Sequence, residues 1–388
     1  MPAVSVYLHL PWCVRKCPYC DFNSHPLAAT GRAEWDADTE QRYTAALLRD
    51  IRHHASMHDA CTINTVFIGG GTPSLFSAHA IGQLLTALDQ CWPFTADTEI
   101  TLESNPGTFD SKNYQGYFAC GVNRLSLGAQ SFDDAQLCRL GRIHTSTDTR
   151  NALKAARKAG FENINLDIMH SLPQQTTAQA LDDLRQAIAL APTHLSWYQL
   201  TIEPNTLFSH EPPPLPDQDQ AAEITSAGQR LLAAHRFTQY EISAYAQSGK
   251  QCRHNLNYWC FGDYLGFGAG AHAKLTHQAP FGITRYQRCK HPRHYMEKAG
   301  TRAVYTERPL SDPRELIFEF LLNHLRLNQD PEFALFEQRT GLPRQQLLQA
   351  ASPAIARQLL QATDSGLRLT ATGRDFLNDV LVLFLPDR

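Results

Sequence analysis

The sequence predicts an α/β protein, in which a partial, laterally open (β/α)6 barrel precedes a small, mainly helical C-terminal domain. Three observations lead to this fold class. Short apolar runs alternate with helical patterns between residues 5 and 199, polar and glycine residues follow most of these runs, and from about Asp312 the pattern becomes helical. Such alternation implies parallel strands with helical crossovers. Six strand–helix units are fewer than the eight of a closed barrel, so we expect an open side.

The predicted strands are, in chain order, Ser5–Leu10, Thr65–Ile68, Glu99–Glu103, Arg124–Gly128, Ile164–Ile168 and His194–Gln199. Apolar residues recur at helical spacing between them, which predicts a helix over about residues 39–54 and further helices carrying Leu84 and Leu184 on their buried faces. Ligands of parallel α/β folds bind beyond the carboxyl ends of the strands. We therefore expect one site at that end.

Composition restricts the class of protein. With 43% hydrophobic residues among 388 the chain can bury a large core, and its net charge of −3 argues against nucleic acid or an anionic membrane as the main partner. No export signal or membrane-spanning segment is evident, which predicts a cytoplasmic protein with reduced cysteines. We assign no chemistry to four of the ten cysteines, Cys61, Cys91, Cys120 and Cys138.

Cys13, Cys17 and Cys20 follow the first predicted strand within one short loop. Three thiols make an incomplete tetrahedral zinc site, whereas a [4Fe–4S] cluster on three thiolates keeps one iron free for another ligand. His9 or His25 could supply a fourth zinc ligand, so the zinc alternative stays open here. The spacing favours the cluster.

Other candidate residues lie near the predicted strand ends, and each also has a purely structural interpretation. Gly69–Gly71 allow backbone amides to approach a ligand, or form only a turn. Glu103 and Asp167 can bind an ammonium or ribose hydroxyls, or cap helices. Arg142 offers a fork for a carboxylate, and Gln130 offers a donor and an acceptor.

Together these motifs resemble the radical S-adenosylmethionine (SAM) superfamily, in its oxygen-independent coproporphyrinogen III oxidase-like branch. The resemblance spans nearly the whole chain and rests on the cysteine loop, Gly-Gly-Gly-Thr-Pro, Glu-Ser-Asn-Pro, Gly-Ala-Gln-Ser-Phe and Asn-Leu-Asp-Ile. It implies that Cys13, Cys17 and Cys20 bind three irons while SAM chelates the fourth. By motif position it implies SAM contacts from Tyr7, Tyr19, Gly70, Gly71, Thr72, Glu103, Gln130, Arg142 and Asp167.

Two departures separate this chain from the oxidases of the branch. The oxidases carry a further cysteine two residues after the third, where this chain has Phe22, and a long N-terminal arm, where only twelve residues precede Cys13. Haem chaperones of the same branch share both features. The resemblance therefore implies a chaperone that binds haem and transfers it to apo-haemoproteins, and not an active coproporphyrinogen III oxidase. A radical SAM enzyme acting on a tetrapyrrole is the alternative, and no catalytic residue is assigned.

A second motif lies after a proline-rich connection. His254, Tyr258 and Trp259 have the spacing His-Asn-x-x-Tyr-Trp, a possible iron ligand beside aromatic faces. A lone histidine is more often a core residue, but the spacing is similar to the haem-binding signature of the chaperones. The motif is not Cys-x-x-Cys-His, so thioether attachment is not indicated. Another glycine-rich turn, Gly266–His272, permits close backbone packing.

We expect a radical SAM core over residues 1–240, a connecting region with the haem motif over 241–311, and a C-terminal domain over 312–388 that resembles the winged-helix-like domain of the branch. With eight arginines, no lysines and ten acidic residues, the last region is not a DNA-binding domain. Val380–Leu385 fits a buried strand or a partner contact. The expected partners are haem, apo-haemoproteins including membrane-bound respiratory proteins, and an electron donor if SAM is cleaved. Peripheral contact with the inner membrane follows from such acceptors.

Overall fold

The computed structural model describes residues 3–27, 35–57, 61–108, 111–278 and 280–386. The first half alternates strands and helices: β1 (Ala3–Leu10), β2 (Trp12–Cys13), β3 (His25–Pro26), α1 (Ala37–Ala55), β4 (Thr62–Gly70), α2 (Ala78–Cys91), β5 (Phe94–Ser104), α3 (Ser111–Ala119), β6 (Arg124–Gln130), α4 (Asp134–Arg139), α5 (Ser146–Ala159), β7 (Asn163–His170), α6 (Thr177–Ala189) and β8 (His194–Gln199). All six predicted barrel strands are present.

The second half contains α7 (Leu207–His210), α8 (Gln218–Ala234), β9 (Thr238–Glu241), β10 (Ala244–Ala246), α9 (Arg253–Trp259), β11 (Tyr264–Phe267), β12 (His272–Gln278), β13 (Phe281–Arg288), α10 (Pro292–Lys298), β14 (Tyr305–Leu310), α11 (Pro313–His324), α12 (Phe333–Thr340), α13 (Arg344–Ala356), β15 (Leu360–Ala362), β16 (Leu367–Leu369), α14 (Ala371–Asp375) and α15 (Leu377–Val382). Most of these elements either extend the barrel sheet or form the C-terminal domain.

Strands β1, β4, β5, β6, β7 and β8 are neighbours in that order and pair in parallel, as the sequence predicts. Helix starts and stops agree with local chemistry. Thr145 and Asp148 form a reciprocal capping box at the start of α5, and Gly160 ends it in the left-handed conformation. The carboxyl ends of all six strands therefore meet at one edge.

The sheet is wider than the sequence predicts. Beyond β1 it continues through β11, which is parallel, and then through antiparallel β12, β13 and β14, while β10 and β9 follow β8. The edge strands β14 and β9 do not pair with each other in the described part of the chain, so the sheet stays open. Strands β10 to β14 come from the predicted connecting region, whose boundaries, like those of the other two regions, remain predictions.

The two largest hydrophobic cores among the described residues stabilise the molecule. The larger lies among the barrel strands and their helices, with Val66, Leu127 and Leu166 completely buried. The smaller joins α11, α12 and α13 to the sheet extension through Ile283 and Leu310. Removing this much apolar surface from water is the main stabilising contribution to such a fold.

The C-terminal domain combines helices α11–α13 with the hairpin β15–β16, which agrees with a small, mainly helical unit. The interpretation of Val380–Leu385 as a strand was wrong. Residues 380–382 form the end of helix α15. Val380 and Phe384, four residues apart, are buried as helical spacing predicts, while Val382 is 61% exposed. Among the described residues no helix has both the length and the apolar character that crossing a membrane requires.

Candidate functional site

A cavity of about 410 Å³ opens at the carboxyl ends of the barrel strands. Its wall contains all but one of the residues predicted to bind the cluster or SAM: Cys13, Cys17, Tyr19, Cys20, Gly70, Gly71, Thr72, Glu103, Gln130, Arg142 and Asp167. The exception is Tyr7, whose hydroxyl forms a hydrogen bond of 2.9 Å with Nδ1 of His9 behind the wall. As SAM contacts these residues remain predictions.

The cysteine loop is held in place by backbone contacts. Strand β2, which contains Cys13, pairs with β3, and the amide of Cys20 donates to the carbonyl of Cys17 over 3.1 Å. Burial, and then the neighbouring Cys20, raise the pKa of Cys13 to about 11. Because metal binding requires the thiolate, assembly of a cluster on this predicted ligand would release the proton of its thiol.

The glycine stretch supports the loop. The amides of Gly71 and Thr72 donate to the carbonyls of Leu10 and Trp12 over 2.8 and 2.7 Å. A Cβ on Gly71 would lie 2.4 Å from the Trp12 carbonyl oxygen, so no other residue fits there. These two amides hydrogen-bond within the protein and hold the cysteine loop against β4, and a contact of Gly70, Gly71 and Thr72 with SAM remains a prediction.

The two histidines of the zinc alternative have other partners. His9 forms hydrogen bonds through both ring nitrogens, to the Tyr7 hydroxyl and the Asn23 carbonyl. His25 Nε2 lies 3.3 Å from the Asn23 side-chain oxygen. In the described ranges no three Cys, His, Asp or Glu side chains are arranged to hold a single metal ion.

Two half-buried carboxyl groups face the cavity from β5 and β7. Glu103 accepts a hydrogen bond from the Gly70 amide over 3.1 Å, and burial together with nearby Asp167 raises its pKa to about 8. Asp167 accepts from Ser126 at 3.0 Å and Asn165 at 2.8 Å, and burial raises its pKa also. Neither carboxyl group forms an ion pair within the described residues. A cationic ligand would supply the missing counter-charge.

Arg142 links the cavity wall to the cysteine loop. Its guanidinium donates to the Gly128 carbonyl over 2.9 Å and lies 3.6 Å from Cys17 Sγ, while its buried Nε has no hydrogen-bond partner in the described structure. Gln130 ends β6 with a φ of 67°, and its side-chain oxygen accepts from Tyr198 over 2.7 Å. This left-handed backbone conformation is strained for a glutamine. It turns the chain at the cavity wall.

Sequence reasoning assigned no binding role to several residues of the wall, including Phe22, Asn105, Ser126, Met169 and Tyr198. Two signals could have found some of them. Tyr198 lies at the end of β8, where the strand-end rule applies, and Asn105 directly follows β5. Phe22, which is 58% exposed, gave no signal beyond its position in the loop.

The residues present fit a cluster and SAM. Three thiols, an arginine with an unpaired buried Nε and two carboxyl groups without counter-ions face one cavity. SAM carries an ammonium and a sulfonium that match the carboxylates, and a carboxylate that matches a guanidinium. When bound, the cluster and SAM supply one-electron chemistry, which the protein positions and shields.

The predicted haem residues do not form one group. His254 is buried, with Nδ1 2.9 Å from the Thr65 hydroxyl and its ring 5.2 Å from that of Phe67. Thr65 belongs to the amino-terminal half of β4, away from the cysteines. Tyr258 and Trp259, at the other end of α9, line a second cavity of about 790 Å³ beside the C-terminal domain.

Family models of known proteins match both the barrel and the C-terminal domain. The Radical SAM superfamily model matches residues 7–187, and the HemN C-terminal domain model matches residues 311–376. The haem chaperones HemW of Escherichia coli and Haemophilus influenzae are both 45% identical to the chain, covering 100% of it and 99% of each relative. The chain belongs to the HemW family.

HemW relatives extend beyond these two species. The haem chaperone HemW of Bacillus subtilis is 31% identical over 99% of both chains. The solved structure of coproporphyrinogen III oxidase HemN from Escherichia coli, a radical SAM enzyme, matches with a TM-score of 0.80 at 22% identity, covering 99% of this chain and 90% of that chain. This likeness shows the fold. Membership of the radical SAM superfamily implies a [4Fe–4S] cluster and SAM as cofactors.

Proposed function

We propose that this chain is a haem chaperone, which binds haem stoichiometrically and transfers it to apo-haemoproteins while holding a [4Fe–4S] cluster and SAM. The observation that carries the proposal is the 45% identity over the full length of two proteins named as haem chaperones. Phe22, which stands where the oxidases have a further cysteine, agrees with it. The competing tetrapyrrole enzyme has support only from the shared fold.

The residues of the first cavity have definable tasks in this protein. The three thiols hold the cluster, and Arg142 offsets negative charge beside Cys17. Glu103 and Asp167 bind the cationic groups of SAM. Each of these roles is binding or positioning, so the proposal needs no proton transfer and assigns no catalytic residue.

We further propose that the acceptors include membrane-bound respiratory haemoproteins. The chain would then work in the cytoplasm and meet the inner membrane peripherally, through its acceptor. If SAM is cleaved in the working cycle, an external electron donor is required. Co-sedimentation with vesicles that contain or lack an apo-acceptor tests this part of the proposal, and equal binding to both vesicles would contradict it.

Haem transfer is the decisive test. Haem-loaded, anaerobically reconstituted protein is mixed with an apo-haemoprotein, and haem-loaded serum albumin serves as the control for passive release. We expect one haem per chain and transfer that is at least tenfold faster than from albumin. Catalytic conversion of coproporphyrinogen III without stoichiometric haem binding would contradict the proposal.

A further inference from the structure

A series of hydrogen bonds runs through the barrel from the first cavity to helix α9. We call it the barrel relay, and its members are Asp167, Asn165, His194, Tyr240 and Cys252. Asp167 lines the cavity, and Asn165 lies two residues earlier on the same face of β7. The Asn165 side-chain nitrogen donates to Asp167 Oδ1 and to Ser126 Oγ, each over 2.8 Å, and Ser126 donates to Asp167 Oδ2 over 3.0 Å. Both carboxyl oxygens of Asp167 therefore accept hydrogen bonds from within the protein.

His194 continues the relay on the neighbouring strand β8. Its register partner on β7 is Asn165, whose side-chain oxygen lies 2.6 Å from His194 Nδ1. The other ring nitrogen, Nε2, lies 2.8 Å from the hydroxyl of Tyr240 on β9. That hydroxyl also accepts a hydrogen bond of 3.2 Å from the backbone amide of Cys252, the residue that precedes α9. Asn165, His194 and Cys252 are each at most 2% exposed, so bulk water does not replace these contacts.

The donors of the relay all point toward Asp167. The Asn165 nitrogen donates to Asp167, so the Asn165 oxygen faces His194 and must accept. Burial, and then the charge of Arg124, hold the pKa of His194 well below its ordinary value, so the ring is neutral and has a single N–H. That N–H is on Nδ1, which leaves Nε2 to accept from Tyr240. The order of donors is therefore fixed from the start of α9 to the carboxylate, and each hydrogen bond polarises the next.

This order of donors requires an ionised Asp167. A protonated carboxyl group would donate from one oxygen, and the donor that now faces that oxygen, on Asn165 or Ser126, would have to turn away. If the Asn165 amide rotates by half a turn, its nitrogen faces His194 Nδ1, and the ring must then carry its proton on Nε2. The Tyr240 hydroxyl would lose its acceptor on the ring. The charge at Asp167 thus decides between two arrangements of the same side chains.

The relay ends at the first turn of α9. Besides Tyr240, which accepts from the Cys252 amide, the buried carboxylate of Glu99 accepts from the next two amides over 3.2 and 3.1 Å. The first amides of a helix have no partner within it, so these contacts decide how firmly α9 begins. At seven residues α9 spans about 10 Å. Its other end carries Tyr258 and Trp259, which line the second cavity.

We propose that the barrel relay couples the first cavity to α9, with His194 and Tyr240 as positioning residues. A cationic ligand beside Asp167 favours the ionised carboxylate, and with it the arrangement that holds the first turn of the helix. The inference rests on one part of the proposed function, that the first cavity binds SAM, and adds that SAM acts on a helix at the opposite end of the barrel strands. Haem is affected in turn, because α9 carries residues predicted to bind it.

Hydrogen exchange in the full-length, cluster-loaded protein tests the coupling without haem. The cluster is kept oxidised, so that SAM is bound but not cleaved. Saturating SAM should slow amide exchange in residues 252–256 at least threefold. Tyr240→Phe keeps the ring and removes the hydroxyl, so saturating SAM should leave the exchange of this segment unchanged. Tyr245→Phe removes the hydroxyl of a buried tyrosine outside the relay, and this matched control should respond as the wild type does.

Haem titration with and without SAM measures the same coupling as a ratio of affinities. In the wild type and in Tyr245→Phe, SAM should tighten haem binding at least threefold, and haem should tighten SAM binding by the same factor. In Tyr240→Phe both ratios should fall close to one. A residue that only stabilises the barrel would change the melting temperature and leave these ratios as they are in the wild type.

The outcomes separate the relay from the proposed function. Equal exchange of residues 252–256 with and without SAM in the wild type overturns the relay, and so does equal slowing in the wild type and Tyr240→Phe. Haem transfer by the wild type would still support the chaperone in both cases. Failure of the wild type to bind haem overturns the chaperone and leaves the exchange experiment to decide on the relay. If Tyr240→Phe does not fold, as judged by circular dichroism, the comparison within the wild type decides alone.

Discussion

At the scale of single residues, this chain removes several titratable groups from water, which is unfavourable for their charged forms. Glu103 and Asp167 face the cavity without a close ion pair among the described residues, and His254 is enclosed by the barrel. Burial disfavours the charged form of each group, so it raises the pKa values of Glu103 and Asp167 and lowers that of His254. These residues therefore contribute less to the stability of the folded protein than buried apolar residues do.

Glu103→Gln should stabilise the ligand-free protein as the pH rises. The folded-state pKa of Glu103 is raised to about 8, so the folded state holds a proton that the unfolded state releases above about pH 4.5. Wild-type stability falls across that window, and the variant, which keeps the acceptor for Gly70, avoids the loss. Denaturation should show a gain in the free energy of unfolding near zero at pH 4.5 and on the order of 2 kcal/mol at pH 8. This gain is smaller than the full pKa shift would give, because the group borders an open cavity. SAM affinity should fall, and a constant gain at all pH values would contradict this account.

His254→Ala should cost stability without affecting haem. The variant loses the hydrogen bond to Thr65 and leaves a cavity, so we expect the free energy of unfolding at pH 7 to fall by about 2 kcal/mol. Wild-type His254 has a pKa lowered to about 3 by burial and then by Arg124, so only the unfolded state gains a proton as the pH falls below about 6.5. The wild type therefore loses stability as the pH falls. The difference in free energy of unfolding between wild type and variant should narrow by up to about 1.4 kcal/mol per pH unit.

Urea denaturation at pH 7, 5.5 and 4 measures that gap, with the exposed His277→Ala as the matched control. Parallel stability curves for wild type and His254→Ala would show that the ring does not titrate as its burial requires. A changed haem spectrum in His254→Ala would return this residue to the haem site.

At the scale of elements, the barrel strands were predictable and the sheet extension was not. Strands such as β4 and β7 are buried apolar runs that end in glycine or polar residues, which marks both the strand and its functional end. Strands β12 and β13 are half-polar, and β11 is four residues long, so neither periodicity nor length separates them from loops. The second cavity depends on that extension, so the sequence pattern could not indicate it.

The support that β4 gives to the cysteine loop predicts the effect of Gly71→Ala. The added Cβ meets the backbone of Trp12 at 2.4 Å, and backbone cannot move aside as a flexible side chain can. We expect a loss of about 2–3 kcal/mol and weakened cluster assembly, measured by denaturation and by visible absorbance after reconstitution. Gly282→Ala on β13 is the control, because its Cβ would meet nothing within 4 Å. Normal cluster content in Gly71→Ala would contradict the supporting role.

At the scale of the whole molecule, the two cavities have no lining residue in common. The first belongs to the carboxyl end of the barrel, and the second to the sheet extension and the C-terminal domain. The barrel site could be predicted because its residues follow strands within short motifs. The second cavity joins residues from 258 to 386, which only the folded chain brings together.

This separation predicts that Cys13→Ser loses the cluster but keeps haem. We expect no cluster absorbance after reconstitution, one haem per chain, and an affinity within threefold of the wild type, because none of the predicted haem residues His254, Tyr258 and Trp259 lines the cavity that contains the cysteines. Cys138→Ser, at an exposed position, is the control and should retain both ligands. Loss of haem binding in a folded Cys13→Ser chain would place the haem site at the cluster cavity.

Strand β1 lies between β4 and β11, and this position affects synthesis. Its outer edge pairs with residues 264–267, roughly 250 residues downstream, which takes on the order of 10–50 s to translate. Until then β1 is an exposed edge strand, and the cysteine loop directly follows it. The nascent chain therefore carries the three thiols predicted to bind the cluster beside an unpaired strand, so both its aggregation and the access of iron to these thiols are decided before the last third of the protein exists.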